Sequence, residues 1–176
     1  MRKLTHDDIK DLREYERERN EFRRHIVEMK KRRRVQLGDL LTITFENTDT
    51  MRFQVQEMAR IERMLTDEQI RDELDTYNQL IPDANELSGT LFVEIDDKER
   101  LYEWLPKLVG IQRAMSIWLH DGSSVPSIPE DEAFRAVEQF FIRIGDIRET
   151  ALAEIEKVEW LPPWGKSRIA GTVESR

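Results

Sequence analysis

Histidines and carboxylates are the side chains here that could hold a transition metal, because the chain has no cysteine. That absence excludes disulfides, zinc thiolates, iron–sulfur ligation by cysteine and thiol catalysis. The histidines are His6, His25 and His120, far apart in sequence. A ferritin-like di-iron site needs Glu-x-x-His on two helices. The nearest match, Glu21 with His25, has the wrong spacing and no second copy. His120-Asp121 before Gly122 reads as the start of a turn, or as half of a metal site completed from elsewhere. No Gly-x-x-x-x-Gly-Lys loop, Gly-x-Gly-x-x-Gly loop or Gly-x-Ser-x-Gly elbow is present. With 36 acidic residues, chance carboxylate pairs are certain, so spacing selects no acid–base dyad. No catalytic residue, metal ligand set or cofactor is assigned.

The densest functional signal is the cationic run Lys30, Lys31, Arg32, Arg33 and Arg34. Helix formers free of Gly and Pro run from His6 to Arg33, with Thr5 as N-cap and Asp8 three residues on. This predicts one helix of about 28 residues, roughly 42 Å long. That is longer than a compact body of this size. Asp7 and Asp8 sit at its positive end and the cations at its negative end, the order that the helix dipole favours. The run therefore reads as a helix terminus, as a partner-docking patch or as a nucleic-acid grip. Against the last, no aromatic residues interleave with the cations to stack on bases. Leu12, Tyr15, Phe22, Ile26 and Met29 form one apolar stripe, a candidate dimer seam on a helix too long for its own body. Arg19 lies within that stripe. It either snorkels at a wet seam or reaches a carboxylate on a partner helix.

Beyond the run the hydrophobic period changes. Leu40 to Glu46 and Met51 to Gln56 both alternate, with Asn47 to Thr50 between them. This predicts a β-hairpin whose wet face, with Thr42, Thr44, Arg52 and Gln54, could line a ligand pocket. Thr66 with Gln69 opens a helix carrying Ile70, Leu74 and Tyr77, and Pro82 ends it. Thr90 to Ile95 reads as a strand, and Asp96 with Glu99 as the start of a helix that Pro106 cuts short. A strand follows around Ile111 to Leu119, then a Pro-containing loop. Residues 136–144 fit either a strand or a helix, and the Phe140-Phe141-Ile142 cluster favours the strand. A helix is expected from Ile147 to Val158. The sum is an α+β fold: a mainly antiparallel sheet of about five strands, surrounding helices and a long N-terminal helix.

Three regions follow: a helical arm over 1–34, an α+β body over 35–160 and an extended tail over 161–176. The net charge of −8 is uneven. Residues 1–34 hold 13 Lys and Arg against 8 Asp and Glu, and the rest hold 15 against 28. An acidic body disfavours non-specific nucleic-acid binding and attracts basic arms of neighbouring copies. Trp160 and Trp164 flank a proline pair, either clamping the tail on the body or presenting a docking peptide. No apolar run spans a bilayer, and the N-terminus has no signal core, so a soluble cytoplasmic protein is expected.

The stretches "YERERNEFRR", "KKRRRVQLGD" and "FENTDTMRFQVQEM" resemble a bacterial family of unknown function catalogued by number (thirty-five-oh-one), over Leu4 to about Ile144. The resemblance brings no activity and no catalytic residues. It implies an accessory role beside rubrerythrin-like proteins and iron–sulfur oxidoreductases, with which genes of the family are associated. The expectation is a non-enzymatic homodimer that docks such a partner through Arg19, the cationic run or the two tryptophans. The alternatives are a small-ligand-binding or enzymatic domain with a pocket between sheet and helices, and nucleic-acid binding through Lys30 to Arg34.

Overall fold

The computed structural model describes residues 1–84, 86–119, 122–129, 139–144, 155–160 and 169–171. His120, Asp121, Trp164 and residues 147–154 of the expected helix lie outside them. The fold is α+β. Among the described residues four α-helices accompany two antiparallel sheets, ordered β1-β2-β3-β7-β6 and β5-β4-β8-β9.

The N-terminal helix is shorter than its sequence suggests. Thr5 and Asp8 do form a capping box, but it closes a single 3-10 turn, His6–Asp8. The chain then runs extended at Ile9 and restarts as α1, Leu12–Lys31, where the Asp11 carboxylate accepts from the Arg13 and Glu14 N–H groups at 2.8 and 3.0 Å. At 20 residues, α1 spans about 30 Å. Two side-chain amides hold the segment off the helical path. Gln56 accepts from the Lys10 N–H at 3.0 Å and donates to its carbonyl at 2.8 Å. Asn78 does the same for Leu4, at 2.7 and 2.9 Å. Each amide satisfies backbone groups that would otherwise seek helical partners.

The expected hairpin is half strand and half helix. β1, Arg34–Leu37, pairs with β2, Leu41–Phe45, and α2, Thr48–Glu62, follows directly. Asn47 is its N-cap: its side-chain oxygen accepts from the Thr50 N–H at 2.9 Å, and the Thr50 hydroxyl accepts from the Asn47 N–H at 2.8 Å. A reciprocal cap therefore occupies the residues read as a turn. Met51, Val55 and Ala59, one turn apart, are the buried face. α3, Asp67–Asn78, begins at the Thr66–Gln69 capping box and packs on α2. Leu74, Tyr77, Leu80, Ile81, Met51, Val55 and Leu4 form the core between them.

β3, Leu87–Val93, pairs β2 with Thr90 opposite Thr44 and Gly89 opposite Phe45. A Cβ at Gly89 would lie 3.0 Å from the Ile43 side chain, so glycine lets the two strands share a tightly packed face. α4, Lys98–Trp104, is capped by Asp97, not Asp96, and Pro106 falls in the 3-10 turn Leu105–Leu108 that follows. β4, Met115–Leu119, pairs with β5, Ser124–Pro126. β6, Ile128–Pro129, joins the first sheet through β7, Gln139–Ile144, so the described part of the ambiguous stretch, residues 139–144, is strand. Ile155 to Val158 is not helical, because β8, Ile155–Trp160, is paired on both sides by β4 and by β9, Ile169–Gly171. Two-sided pairing overrides the helix preference of its Glu and Lys. Leu41, Ile43, Phe45 and Leu91 pack with Leu108, Ile111, Met115 and Ile117 in the main core. The opposite face of β2 and β3 is also buried, although it carries Thr42, Thr44, Ser88 and Thr90.

Gln56 is 2% exposed, so Gln56→Met keeps its volume while orphaning both Lys10 backbone groups. A loss of about 1–3 kcal/mol is expected, seen as a lower urea midpoint at unchanged slope.

Candidate functional site

The apolar stripe on α1 is consumed within the chain. Tyr15 and Ile26 are each 1% exposed, and Leu12, Phe22 and Met29 are half-buried. Phe22 sits edge-on to both Tyr15 and Phe53 of α2, with the Arg52 guanidinium 4.7 Å from its ring. Asn47 donates to the Met29 sulfur at 3.4 Å. The stripe offered as a seam between copies thus packs on α2 of the same copy, where a strand was expected.

Arg19 does reach a carboxylate on a neighbouring helix, and that helix is α2. Its Nε and Nη2 donate to the two oxygens of Glu57 at 2.7 and 2.9 Å, and the Tyr15 hydroxyl donates to Glu57 Oε1 at 2.6 Å. The Arg19 guanidinium is the main cause holding the Glu57 carboxyl down at about 2, helped by the Tyr15 hydroxyl against the opposing effect of burial. Burial first, then the Glu57 hydrogen bond, raises the Tyr15 hydroxyl well above its ordinary value.

The cationic run is divided by the helix end. The Arg33 Nε and Nη2 donate to the carbonyls of Phe45 and Glu46 at 2.8 and 3.0 Å, and burial pushes the guanidinium below its ordinary value. Lys30 lies 4.0 Å from Glu46 Oε2. Lys31 pairs with Glu28 and Arg34 with Glu94. Arg32 is left exposed without an ion pair among the described residues. Lys31, Arg32 and Arg34 remain exposed, while Arg33 is turned onto the end of β2. Glu46 itself is 2% exposed: Oε1 accepts from the Thr90 hydroxyl at 2.6 Å, while Oε2 has no hydrogen-bond donor among the described residues.

The four residues proposed to line a ligand pocket do not meet. Thr42 and Thr44 are buried in the sheet, whereas Arg52 stacks on Phe22 and Gln54 approaches the Tyr77 hydroxyl at 3.5 Å. Trp160 ends β8, in register with Met115 and Ile169. His25 and Glu21 are exposed on α1, and His6 lies 3.3 Å from Asp67. Among the described residues no three His, Asp or Glu gather as metal ligands, and no helix is long and apolar enough to cross a membrane.

What the arrangement does create is a cleft of about 440 Å³ at the break before α1. Its apolar lining is Ile9, Leu12, Ala59, Met64, Leu65 and Ile70, with His6, Thr66 and Asp67 also on its wall. Leu65 is 82% exposed and Ile61, one turn earlier, 62%. No sequence motif marks this cleft. It lies beside the segment whose Lys10 backbone groups are held by Gln56.

The family model described as Protein of unknown function (DUF3501) matches residues 3–149. The chain belongs to this family. A solved structure from Burkholderia pseudomallei K96243, described as a novel protein of unknown function, shares the fold of this DUF3501 protein at a TM-score of 0.84 and 26% identity, covering 99% of this chain and 94% of that one. Partial matches link the chain to isoleucine–tRNA ligases. That of Carboxydothermus hydrogenoformans is 40% identical over 84 residues, 48% of this chain, and that of Thermotoga petrophila 33% identical over 111 residues, 58% of this chain. The chain spans 9% and 11% of the lengths of those two enzymes.

The ordinary carboxyl value of 4.5 falls to about 2 at Glu57, so the ion pair contributes its full stability above pH 4.5 and loses it as pH falls towards 2. Glu57→Gln is expected to cost on the order of a few kcal/mol at pH 7 and to flatten stability across that acidic window, read by urea titrations at several pH values.

Proposed function

We propose that this DUF3501 protein is a non-enzymatic accessory factor that docks a redox partner, a rubrerythrin-like protein or an iron–sulfur oxidoreductase, at the cleft beside α1. The observation that carries the docking surface is Leu65. A leucine 82% exposed beside an apolar cleft is uncovered surface of the kind partner proteins bury. Ile61 extends it, and the cleft can accept one or two apolar side chains of the partner. The partner class is the one that the resemblance of the sequence to this family implies. The matched part of the tRNA ligases is too small a share of those enzymes to bring ligase activity with it.

A second reading uses the same cleft for a small apolar ligand, because its volume falls within the range of small-molecule sites. Titration calorimetry against a purified rubrerythrin-like protein and a purified iron–sulfur oxidoreductase from the same organism decides between them. Docking predicts saturable binding to one of these, weakened on the order of tenfold or more by Leu65→Asp and unchanged by Lys31→Glu. No binding to either protein, or binding indifferent to Leu65→Asp, overturns it. Thermal stabilisation by an apolar small molecule, lost in Leu65→Asp, supports the second reading instead.

A further inference from the structure

Two charged ridges on the helical layer match each other in spacing and in sign. The line of α1 opposite Tyr15 and Ile26 reads Arg13, Arg17, Asn20, Arg24, Val27, at steps of four, three, four and three. The line of α3 opposite Leu74 and Tyr77 reads Glu68, Asp72, Asp75, with Leu65 just before the N-cap and Gln79 just after the helix. All of these residues are exposed. Both ridges keep like charges four residues apart, Arg13 with Arg17 and Glu68 with Asp72, which a free helix disfavours. Among the described residues Arg13, Arg17, Glu68, Asp72 and Asp75 make no ion pair, Arg13 and Arg17 only adding to the backbone hydrogen bonds that hold the Asp11 carboxyl down, and Arg24 donates to the Asn20 carbonyl. The negative field around α3 is felt nearby, where burial and the carboxylates of Glu62 and Asp72 raise the Glu73 carboxyl.

Both helices pack on α2 with their other faces, so one chain cannot join its own two ridges. We propose that a second copy of the chain lays α1 antiparallel along α3. In that register Arg17 meets Asp75, Asn20 meets Asp72, Arg24 meets Glu68 and Val27 meets Leu65. The first three contacts fix orientation and hasten encounter. The last buries two apolar side chains that are 50% and 82% exposed in the single chain. The contact uses the face of α1 opposite the stripe that the sequence offered as a dimer seam, and because it covers Leu65 it competes with a redox partner for the cleft. Exposed ion pairs contribute little each, so the association is weak and sensitive to salt.

Sedimentation equilibrium of the purified chain tests this. Self-association is expected in about 0.01 M salt and at least tenfold weaker in about 1 M salt. Arg17→Glu with Arg24→Glu, and separately Glu68→Lys with Asp75→Lys, should each give monomers whose melting temperatures match the parent. Mixed in equal amounts, the two variants should associate with each other, because each then offers a ridge that the other complements. Neutral Gln versions of the same positions replace any variant that fails to fold. A parent chain monomeric at low salt overturns the proposal. So does a variant that self-associates as the parent does, or a mixture that stays monomeric.

Discussion

The placement of the amino-terminal third rests on two consecutive side chains of α2. Glu57 takes the Tyr15 hydroxyl and the Arg19 guanidinium, and Gln56 takes both backbone groups of Lys10. The first pair fixes which face of α1 turns inward. The second fixes where α1 starts. Breaking a pair such as Arg19–Glu57 by removing one partner strands a half-buried charge, so the contact tolerates little adjustment. The cleft between the 3-10 turn and α3, the outward ridge of α1 and the position of its last turn all follow from these bonds.

That last turn ties helix to sheet. Arg33 leaves the helix and places its guanidinium on the carbonyls that end β2, while the Phe45 N–H returns to the Arg33 carbonyl at 2.9 Å. Glu46 lies beneath with Thr90 and Lys30 as its neighbours. The polar face of β2 and β3 is therefore a structural interior, where hydroxyls and a carboxylate satisfy one another in part. The apolar face of the same strands holds the main core.

Legibility in the sequence tracked how local each cause was. The Thr66–Gln69 cap, the β2 alternation and the Pro106 break depend on residues within a few positions, and all were readable. The 28-residue helix failed at Ile9 because its breaker, Gln56, is 46 residues away. Met51 to Gln56 alternates like a strand, and Asn47 with Thr50 looks like a turn. The same two residues make a helix cap, and α2 buries every fourth residue. For Arg19 the sequence left two readings open, a snorkelling cation or a pair with a carboxylate of a partner helix, and the carboxylate it meets is Glu57 of its own chain. The cleft was invisible for the same reason as the helix break, since it lies beside that break. The cationic run was visible, and a helix end turns its consecutive residues in different directions.

Membership of a family of unknown function leaves the physical claim to stand alone: the amino-terminal helix is packed on α2 of its own subunit. Amide hydrogen exchange of the chain at high salt tests it most directly. If the account holds, central α1 amides around Tyr15 to Ile26 exchange only through global unfolding, at the same protection as β2. Fast exchange across α1 while β2 stays protected would mean that the helix detaches, and would contradict it.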